Sequence, residues 1–265
     1  MAENSVVIIT GASRGVGAWV ARWLAKVGAA MTLIARSAEQ LHHVAREVER
    51  LGGRPLPFAA DVAVVENCLQ AVELTLHHFC RIDALVNNAA VVEPLAFAAS
   101  AEATSWRYNI EVNLLAPFYL SRAAIPELRR QQGRIINVSS GAAVTAIQAA
   151  SAYCAAKAGL NQLTRVLAVE EPGITSIAVR PGVVDTDMQA LIRSKGSAAM
   201  PAEQVSYYQS LKEQGKLEHP AIPGRSIAWL CLYAPKAWSG TFMDYDDPRV
   251  VRQAVELFGE YGGDI

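Results

Sequence analysis

Apolar residues in this chain are arranged in two alternating ways: short uninterrupted runs, and longer segments where they recur every third or fourth position. Ser5–Thr10 is a continuous β-branched run, the pattern of a strand buried on both faces. A glycine-rich turn follows, then a helical pattern through Leu24 and Val27 that stops at Gly28. Ala30–Ala35 reads as a second strand, Ser37–Leu51 as a helix stopped by Gly52-Gly53, and Arg54–Ala60 as a short third strand. A helix running to about Cys80 leads into a fourth strand at Ile82–Val86. Beyond a loop containing Pro94, a long helical pattern covers Ser105–Gln131. Arg134–Val138, Ser151–Glu171 and Ile174–Arg180 then read as strand, helix and strand.

Strands that alternate with helices in this way must run parallel, because each helix carries the chain back to the starting edge. The pattern predicts an α/β fold: a single doubly wound Rossmann-type domain over 1–265, with a parallel sheet of about seven strands and helices on both faces. Between about 187 and 223 the periodicity weakens, and Met188, Leu191, Ile192, Met200, Tyr207 and Tyr208 mix with polar residues, glycine and proline. Beside the ligand edge of such a sheet that stretch is expected to be a substrate lid. Packing as an ordinary helix face is the competing reading. Arg225–Tyr233 is helical, Gly240–Met243 a last short strand, and Val251, Ala254, Val255 and Phe258 mark an amphipathic final helix.

Composition narrows the function. The 265 residues are 52% hydrophobic and 18% charged, ample for a buried core. A net charge of −1 leaves no electrostatic footprint for nucleic acid or an anionic membrane. Apolar runs such as Val6–Ile9 fall far short of the ~20 residues that span a bilayer, and Met1-Ala2-Glu3-Asn4 has no signal-peptide character. Cys68, Cys80, Cys154 and Cys231 are scattered, which implies buried free thiols in a reducing compartment, no metal site, and a soluble cytoplasmic protein. The adjacent pairs His42-His43 and His77-His78 point to different sides of a helix and are read as surface residues.

The first strand runs straight into Gly11-Ala12-Ser13-Arg14-Gly15-Val16-Gly17. In a strand–turn–helix context such glycines let backbone N–H groups approach a pyrophosphate at the positive end of a helix. Gly11, Ser13, Arg14, Gly15, Val16 and Gly17 are therefore candidate cofactor contacts. The second strand ends at Arg36 with no acid for a ribose 2′-hydroxyl, and Arg14 is expected to point to the same region. Two arginines favour a 2′-phosphate and hence NADP(H); the plain alternative is that Arg36 is a solvated strand end. Asp61, followed by Val62, closes the third strand, either at an adenine edge or as the next helix's N-cap. Asn87-Asn88-Ala89-Ala90 closes the fourth, where small residues allow close approach and asparagines can fix a turn.

The fifth strand delivers Ser139-Ser140, and the helix after it carries Tyr153 and Lys157 at i, i+4, on one face. A lysine there is expected to pull the phenol down from about 10, so that Tyr153 can exchange protons near neutrality. Asn113 lies among apolar neighbours, as a buried hydrogen-bonding post or as part of a proton path. Pro181-Gly182-Val183 and Thr186 leave the sixth strand at the same edge.

With Thr10-Gly-x-x-x-Gly15-x-Gly17, Asp61-Val62, Asn87-Asn88-Ala89, Asn113, Ser140, Tyr153-x-x-x-Lys157 and Pro181-Gly182 with Thr186 in this order, the chain resembles the short-chain dehydrogenase/reductases over at least Val6 to Met188. Ala90 departs from the glycine often found there. The resemblance implies Tyr153 as acid/base and Ser140, thirteen residues earlier, as orienter of the substrate oxygen. It implies that Lys157 also bonds the nicotinamide ribose, that Asn113 holds a relay water, and that Pro181, Val183 and Thr186 hold the nicotinamide end. Asn88 would lie in the cofactor site. Val183–Met188 and Asp244–Arg249 look similar to fungal benzil reductase and sepiapterin-reductase-like proteins, where an aspartate near the C-terminus anchors the pterin; Asp244 is the nearest counterpart. The implied activity is NADPH-dependent reduction of a ketone or diketone, a small-molecule carbonyl substrate. The alternatives are oxidation of a secondary alcohol, a non-catalytic NADP(H)-binding protein, and an extended-type epimerase or dehydratase, for which too few residues follow Met188. Family analogy also implies a homodimer or homotetramer through Ala116–Gln131 and Ser151–Glu171.

Overall fold

The computed structural model describes residues 4–263, so the first residues of the chain lie outside it. A seven-stranded sheet forms the middle layer, in the order β3-β2-β1-β4-β5-β6-β7. Its strands are β1 (Val6–Thr10), β2 (Ala30–Ala35), β3 (Arg54–Ala59), β4 (Ala84–Asn87), β5 (Arg134–Val138), β6 (Thr175–Arg180) and β7 (Phe242–Asp244). Every pairing is parallel. This is the doubly wound, Rossmann-like arrangement that the alternating pattern predicts. The chain winds outward from β1 to β3, then crosses back to β4, which makes β1/β4 the topological switch point.

Side-chain alternation along the strands builds two cores. In β1, Val7 and Ile9 face the layer of α1 (Gly15–Ala25), α2 (Ala38–Arg50), α9 (Ala221–Tyr233) and α10 (Pro248–Phe258), with Trp23, Leu41, Leu230 and Phe258. Ile8 faces the opposite layer, where α3 (Val65–Phe79) and α5 (Ala116–Gln131) contribute Val72, Leu120 and Leu128. β3 contains Pro55 and Pro57, which cannot donate to a ladder, and it accordingly lies at the sheet edge beside β2 alone.

Several boundaries differ from the pattern. The helix expected from Ser105 begins at Ala103 as α4 (Ala103–Ile110), because Glu102 caps it by accepting from the N–H groups of Thr104 and Ser105. A π-helical turn over Glu111–Leu115 separates α4 from α5. Pro117 has no N–H to return to the carbonyl of Asn113, so the α-helical ladder breaks there and a wider turn absorbs the extra residue. α9 starts four positions before Arg225 and includes Gly224, whose missing Cβ lets the helix lie against Trp19 of α1. β7 extends to Asp244, and the buried face of α10 is Val250, Ala254 and Phe258 rather than the full set expected. Of the four free thiols, Cys68 and Cys231 are buried while Cys80 is exposed and Cys154 half-buried, so the expectation of buried thiols holds for two. No helix among the described residues is long and apolar enough to cross a membrane.

The stretch after β6 is more regular than its sequence pattern. It forms α7 (Asp187–Lys195) and α8 (Ala202–Glu213), preceding α9. Below them, α6 (Ser151–Glu170) packs on β5 and β6. A buried polar ladder ties this side together: Asn87 Nδ2 donates to Asn137 Oδ1 (2.8 Å), Asn137 Nδ2 to Thr164 Oγ1 (2.8 Å), and Thr164 Oγ1 to the Leu160 carbonyl (2.8 Å). Removing one member leaves its partners desolvated and unpaired, so Asn137→Ala is expected to lower unfolding stability by about 1–3 kcal/mol. Urea denaturation measures this, and an unchanged midpoint would show that the ladder contributes nothing.

Candidate active site

The C-terminal ends of β1, β4, β5 and β6 open into one cleft with a volume of about 1130 Å³. That exceeds the ~300–1,000 Å³ of an ordinary single-ligand pocket, leaving room for a dinucleotide and a second small molecule. Its floor is built at the switch point. Thr10 Oγ1 accepts from the N–H groups of Asn88 (2.9 Å) and Ala89 (3.0 Å), and Asn88 Nδ2 donates to the carbonyls of Thr10 (2.9 Å) and Gly11 (3.3 Å). A Cβ on Gly17 would stand 2.5 Å from Asn88 Nδ2 and closer still to the Gly11 carbonyl, so only glycine fits.

The glycine turn leads into α1 with Arg14 at the N-cap, no side-chain cap and no acid in the first turn. The leading N–H groups of α1 therefore present a positive helix end toward the cleft, which Gly15 and Val16 line. Gly15 has φ +56, and a Cβ there would press on Thr186 Cγ2 at 3.3 Å. An uncapped helix start behind a glycine cradle fits a pyrophosphate, and these residues suit a dinucleotide cofactor.

At the β2/β3 end, Arg36 and Arg14 line the same cleft but take different partners. Arg14 pairs with Asp187 at the start of α7 (2.8 Å), whereas Arg36 Nη1 donates to the hydroxyl of Tyr108 (3.0 Å). The expectation that both point to one region is corrected to that extent. Tyr108 in turn donates to Asp61 Oδ2 (2.8 Å). Asp61 is not the N-cap of α3, which is Val64; it accepts from the N–H of Ala63 (3.0 Å) in a turn before the helix. Buried Val62 lies beside it in the cleft wall. Tyr108 carries no motif and stands 47 residues from Asp61, so nothing in the sequence marks it.

At the β5/β6 end, Ser139 is buried and donates to Asn161 Oδ1 (2.6 Å). Ser140 accepts from the N–H of Ala142 (3.2 Å) and lines the cleft together with Tyr153. Lys157 Nζ lies 5.6 Å from the Tyr153 ring centre and donates to the Val138 carbonyl (2.8 Å). Burial pushes the Tyr153 phenol up to about 12, with Ser140 pulling the other way. Burial also holds the Lys157 amine down at about 7. The expectation of a lowered tyrosine is thus not met here, because burial penalises the charged form of both groups, and desolvation outweighs any pull of the lysine on the phenol. Asn113, fully buried in the π turn, donates to the carbonyls of Val91 (2.8 Å) and Asn109 (3.0 Å), while its Oδ1 has no partner. Pro181, Val183 and Thr186 line the cleft, with Thr186 Oγ1 donating to the Val184 carbonyl.

Asp244, the nearest counterpart of a pterin anchor, lines the same cleft. Asp244 is held by Arg180 in a two-pronged ion pair, so its carboxylate already has a charged partner. Opposite, a small apolar cluster of Val92, Ala149, Ile192 and Met200 takes in Tyr153, Met188, Leu191 and Tyr208. The helices after β6 thus pack over the candidate proton donor.

The short chain dehydrogenase family profile matches residues 5–197. An uncharacterized oxidoreductase of Schizosaccharomyces pombe is 32% identical over 259 residues, covering 92% of this chain and 98% of that protein. A short chain dehydrogenase/reductase structure from Saccharomyces cerevisiae superposes with a TM-score of 0.89 at 32% identity, over 94% of this chain and 98% of that one. The enzyme KRED1-Pglu gives 0.85 at 38%, over 90% and 99%. The chain belongs to the short-chain dehydrogenase family of oxidoreductases.

Lys157 has a folded pKa near 7 against an unfolded value of 10.5. Between those values the unfolded chain binds the extra proton, so stability contributed by this group rises with pH across the window. The raised Tyr153 works in the opposite sense, but only above about pH 10. Urea midpoints of the cofactor-free protein from pH 7 to 9.5 are expected to climb more steeply in the wild type than in Lys157→Met. Parallel profiles would mean that Lys157 is ionised in the folded pocket.

Proposed function

We propose that this short-chain dehydrogenase is an NADPH-dependent carbonyl reductase, converting a ketone or diketone to a secondary alcohol. The observation that carries the reading is one continuous cleft with Ser140, Tyr153 and Lys157 at one end, an uncapped helix start in its middle, and Arg36 at the other end. When bound, the reduced nicotinamide supplies the hydride. The N–H groups at Gly15–Gly17 would hold the pyrophosphate, with Gly11 and Ser13 shaping the turn and Asn88 fixing it. Arg36 would meet the 2′-phosphate, and Arg14 could join it by exchanging Asp187. Asp61 and Val62 would meet the adenine, and Pro181, Val183 and Thr186 the nicotinamide end.

Tyr153, held as a neutral phenol at physiological pH, is loaded to give its proton to the oxygen as negative charge builds there. Ser140 donates a second hydrogen bond to that oxygen, where charge develops in a desolvated site. Lys157 sits close enough to favour the phenolate left behind once it is protonated, and an anionic ligand in the cleft favours its protonated form. The unpaired Oδ1 of Asn113 is an acceptor available to order a relay water that resupplies the proton.

The segment 187–223 acts in this reading as the substrate lid, its apolar side chains Met188, Ile192, Met200 and Tyr208 closing over Tyr153 and excluding water. An apolar, aromatic-lined roof suits aryl ketones and diketones. It does not single out a benzil-type over a pterin-type carbonyl, and the Arg180–Asp244 pair argues against Asp244 as a pterin anchor. Exposed Phe118, Val166 and Val169 on α5 and α6 support self-association through those helices.

Tyr153→Phe is expected to cut NADPH-dependent reduction about 10²–10⁴-fold while NADPH binding persists. NADPH and NADH consumption with a panel of aromatic diketones, pterin carbonyls and quinones tests it. Near-parental turnover in the variant, or no turnover of any carbonyl by the wild type, would sink the assignment.

A further inference from the structure

Arg36 and Asp61 stand just beyond the ends of two neighbouring strands, β2 and β3, whose last paired residues are Ala35 and Ala59. Strands about 4.8 Å apart bring such ends within reach of a direct guanidinium–carboxylate pair. No such pair forms. The ring of Tyr108 arrives instead from α4, across the switch point, and its hydroxyl bridges the two: it donates to Asp61 Oδ2 at 2.8 Å and accepts from Arg36 Nη1 at 3.0 Å. All three residues line the cleft.

Resting on the NADP reading above, we propose that Tyr108 is the positioning residue for cofactor selectivity, keeping Arg36 available to a 2′-phosphate by standing between it and Asp61. Tyr108, Asp61 and an incoming phosphate compete for the Arg36 guanidinium. Arg36 has five N–H donors, and a single neutral acceptor occupies one of them, leaving the rest for an incoming dianion. A bidentate pair with Asp61 would consume the fork and draw it toward the adenine edge. The same hydroxyl donates to Asp61, which gives the carboxylate a partner other than the Arg36 guanidinium. Burial and the Asp61 bond push the Tyr108 phenol above its usual range, so at neutral pH it keeps the proton that this bridge requires.

Tyr108→Phe removes one oxygen and leaves the ring. Dissociation constants for NADPH and NADH, measured by fluorescence titration on wild type, Tyr108→Phe, Arg36→Ala and the double variant, test the proposal. The expected result is NADPH binding weakened about tenfold in Tyr108→Phe with NADH binding unchanged, and a double variant no weaker than Arg36→Ala alone. NADH binding serves as the check that the variant folds. Equal losses for both cofactors would make Tyr108 merely a wall of the adenine pocket and overturn the proposal. So would an NADPH preference that survives Tyr108→Phe while Arg36→Ala abolishes it. A wild type with no NADPH preference overturns the NADP reading itself, and this inference falls with it.

Discussion

The amide of Asn88 sits between the carbonyls of Thr10 and Gly11 at the point where the strand order reverses, and the Thr10 hydroxyl answers it by accepting from two backbone N–H groups. These bonds lock the ends of β1 and β4 into one unit. They also explain why Gly17 tolerates no Cβ, since that space is taken by the Gly11 carbonyl and the Asn88 amide. With the turn fixed, α1 must begin where it does, and its first N–H groups are left facing the cleft without a cap. The pyrophosphate-sized cradle follows from hydrogen bonds made underneath it. A looser tie would let the turn and helix start drift, and a misplacement of about 1 Å in a positioned site is costly.

A second constraint is the desolvation that acts on Tyr153 and Lys157. Lys157 is buried and anchored to the Val138 carbonyl, and the residue before Val138 belongs to the buried Asn87–Asn137–Thr164 ladder. Such a ladder is costly if any member is missing, which makes it a rigid support for the strands that deliver Ser140. The same desolvation sets the protonation pattern: a neutral phenol, an amine near its midpoint at neutral pH, and the nearby Ser140 as the opposing influence on Tyr153.

Between these fixed parts and the helices after β6 runs a clamped connection. The N–H of Glu218 donates to the Val183 carbonyl (2.9 Å), the N–H of Asp185 donates to the Glu218 carbonyl (2.9 Å), and the Tyr245 hydroxyl donates to Glu218 Oε2 (2.7 Å). Gly182, at φ +77, lies so close to the Tyr245 ring that a Cβ would come within 2.8 Å. The loop from Pro181 to Thr186 is therefore held from both sides, and α7 and α8 are suspended from a rigid base. Their contact with the cleft is mainly the small apolar cluster around Ile192 and Met200, an arrangement with few long-range ties.

Much of this was legible in the amino-acid sequence, for a physical reason: strand and helix periods, glycine turns and strand-end residues are local properties. The continuous run at Val6–Ile9 and the glycines after it determined a buried strand, a turn and a helix start. The order of such units determined a parallel, doubly wound sheet, and the positions of Ser140, Tyr153 and Lys157 placed them at its ligand edge. The pattern failed where the apolar period passes over a neighbouring cap or proline, and where a partner from elsewhere in the chain decided the outcome. Pro117 opened a π turn inside what reads as one helix, and Glu102 moved a helix start. α7 and α8 took regular form in a segment of weak periodicity by packing on Tyr153 and Val92. Only the tertiary structure could show that burial, acting on two side chains in one pocket, overrides the proton relationship implied by their i, i+4 spacing. Likewise, only packing across the switch point brings Tyr108 between Arg36 and Asp61, because hydrogen bonds join residues by distance in space and the sequence records only their separation along the chain.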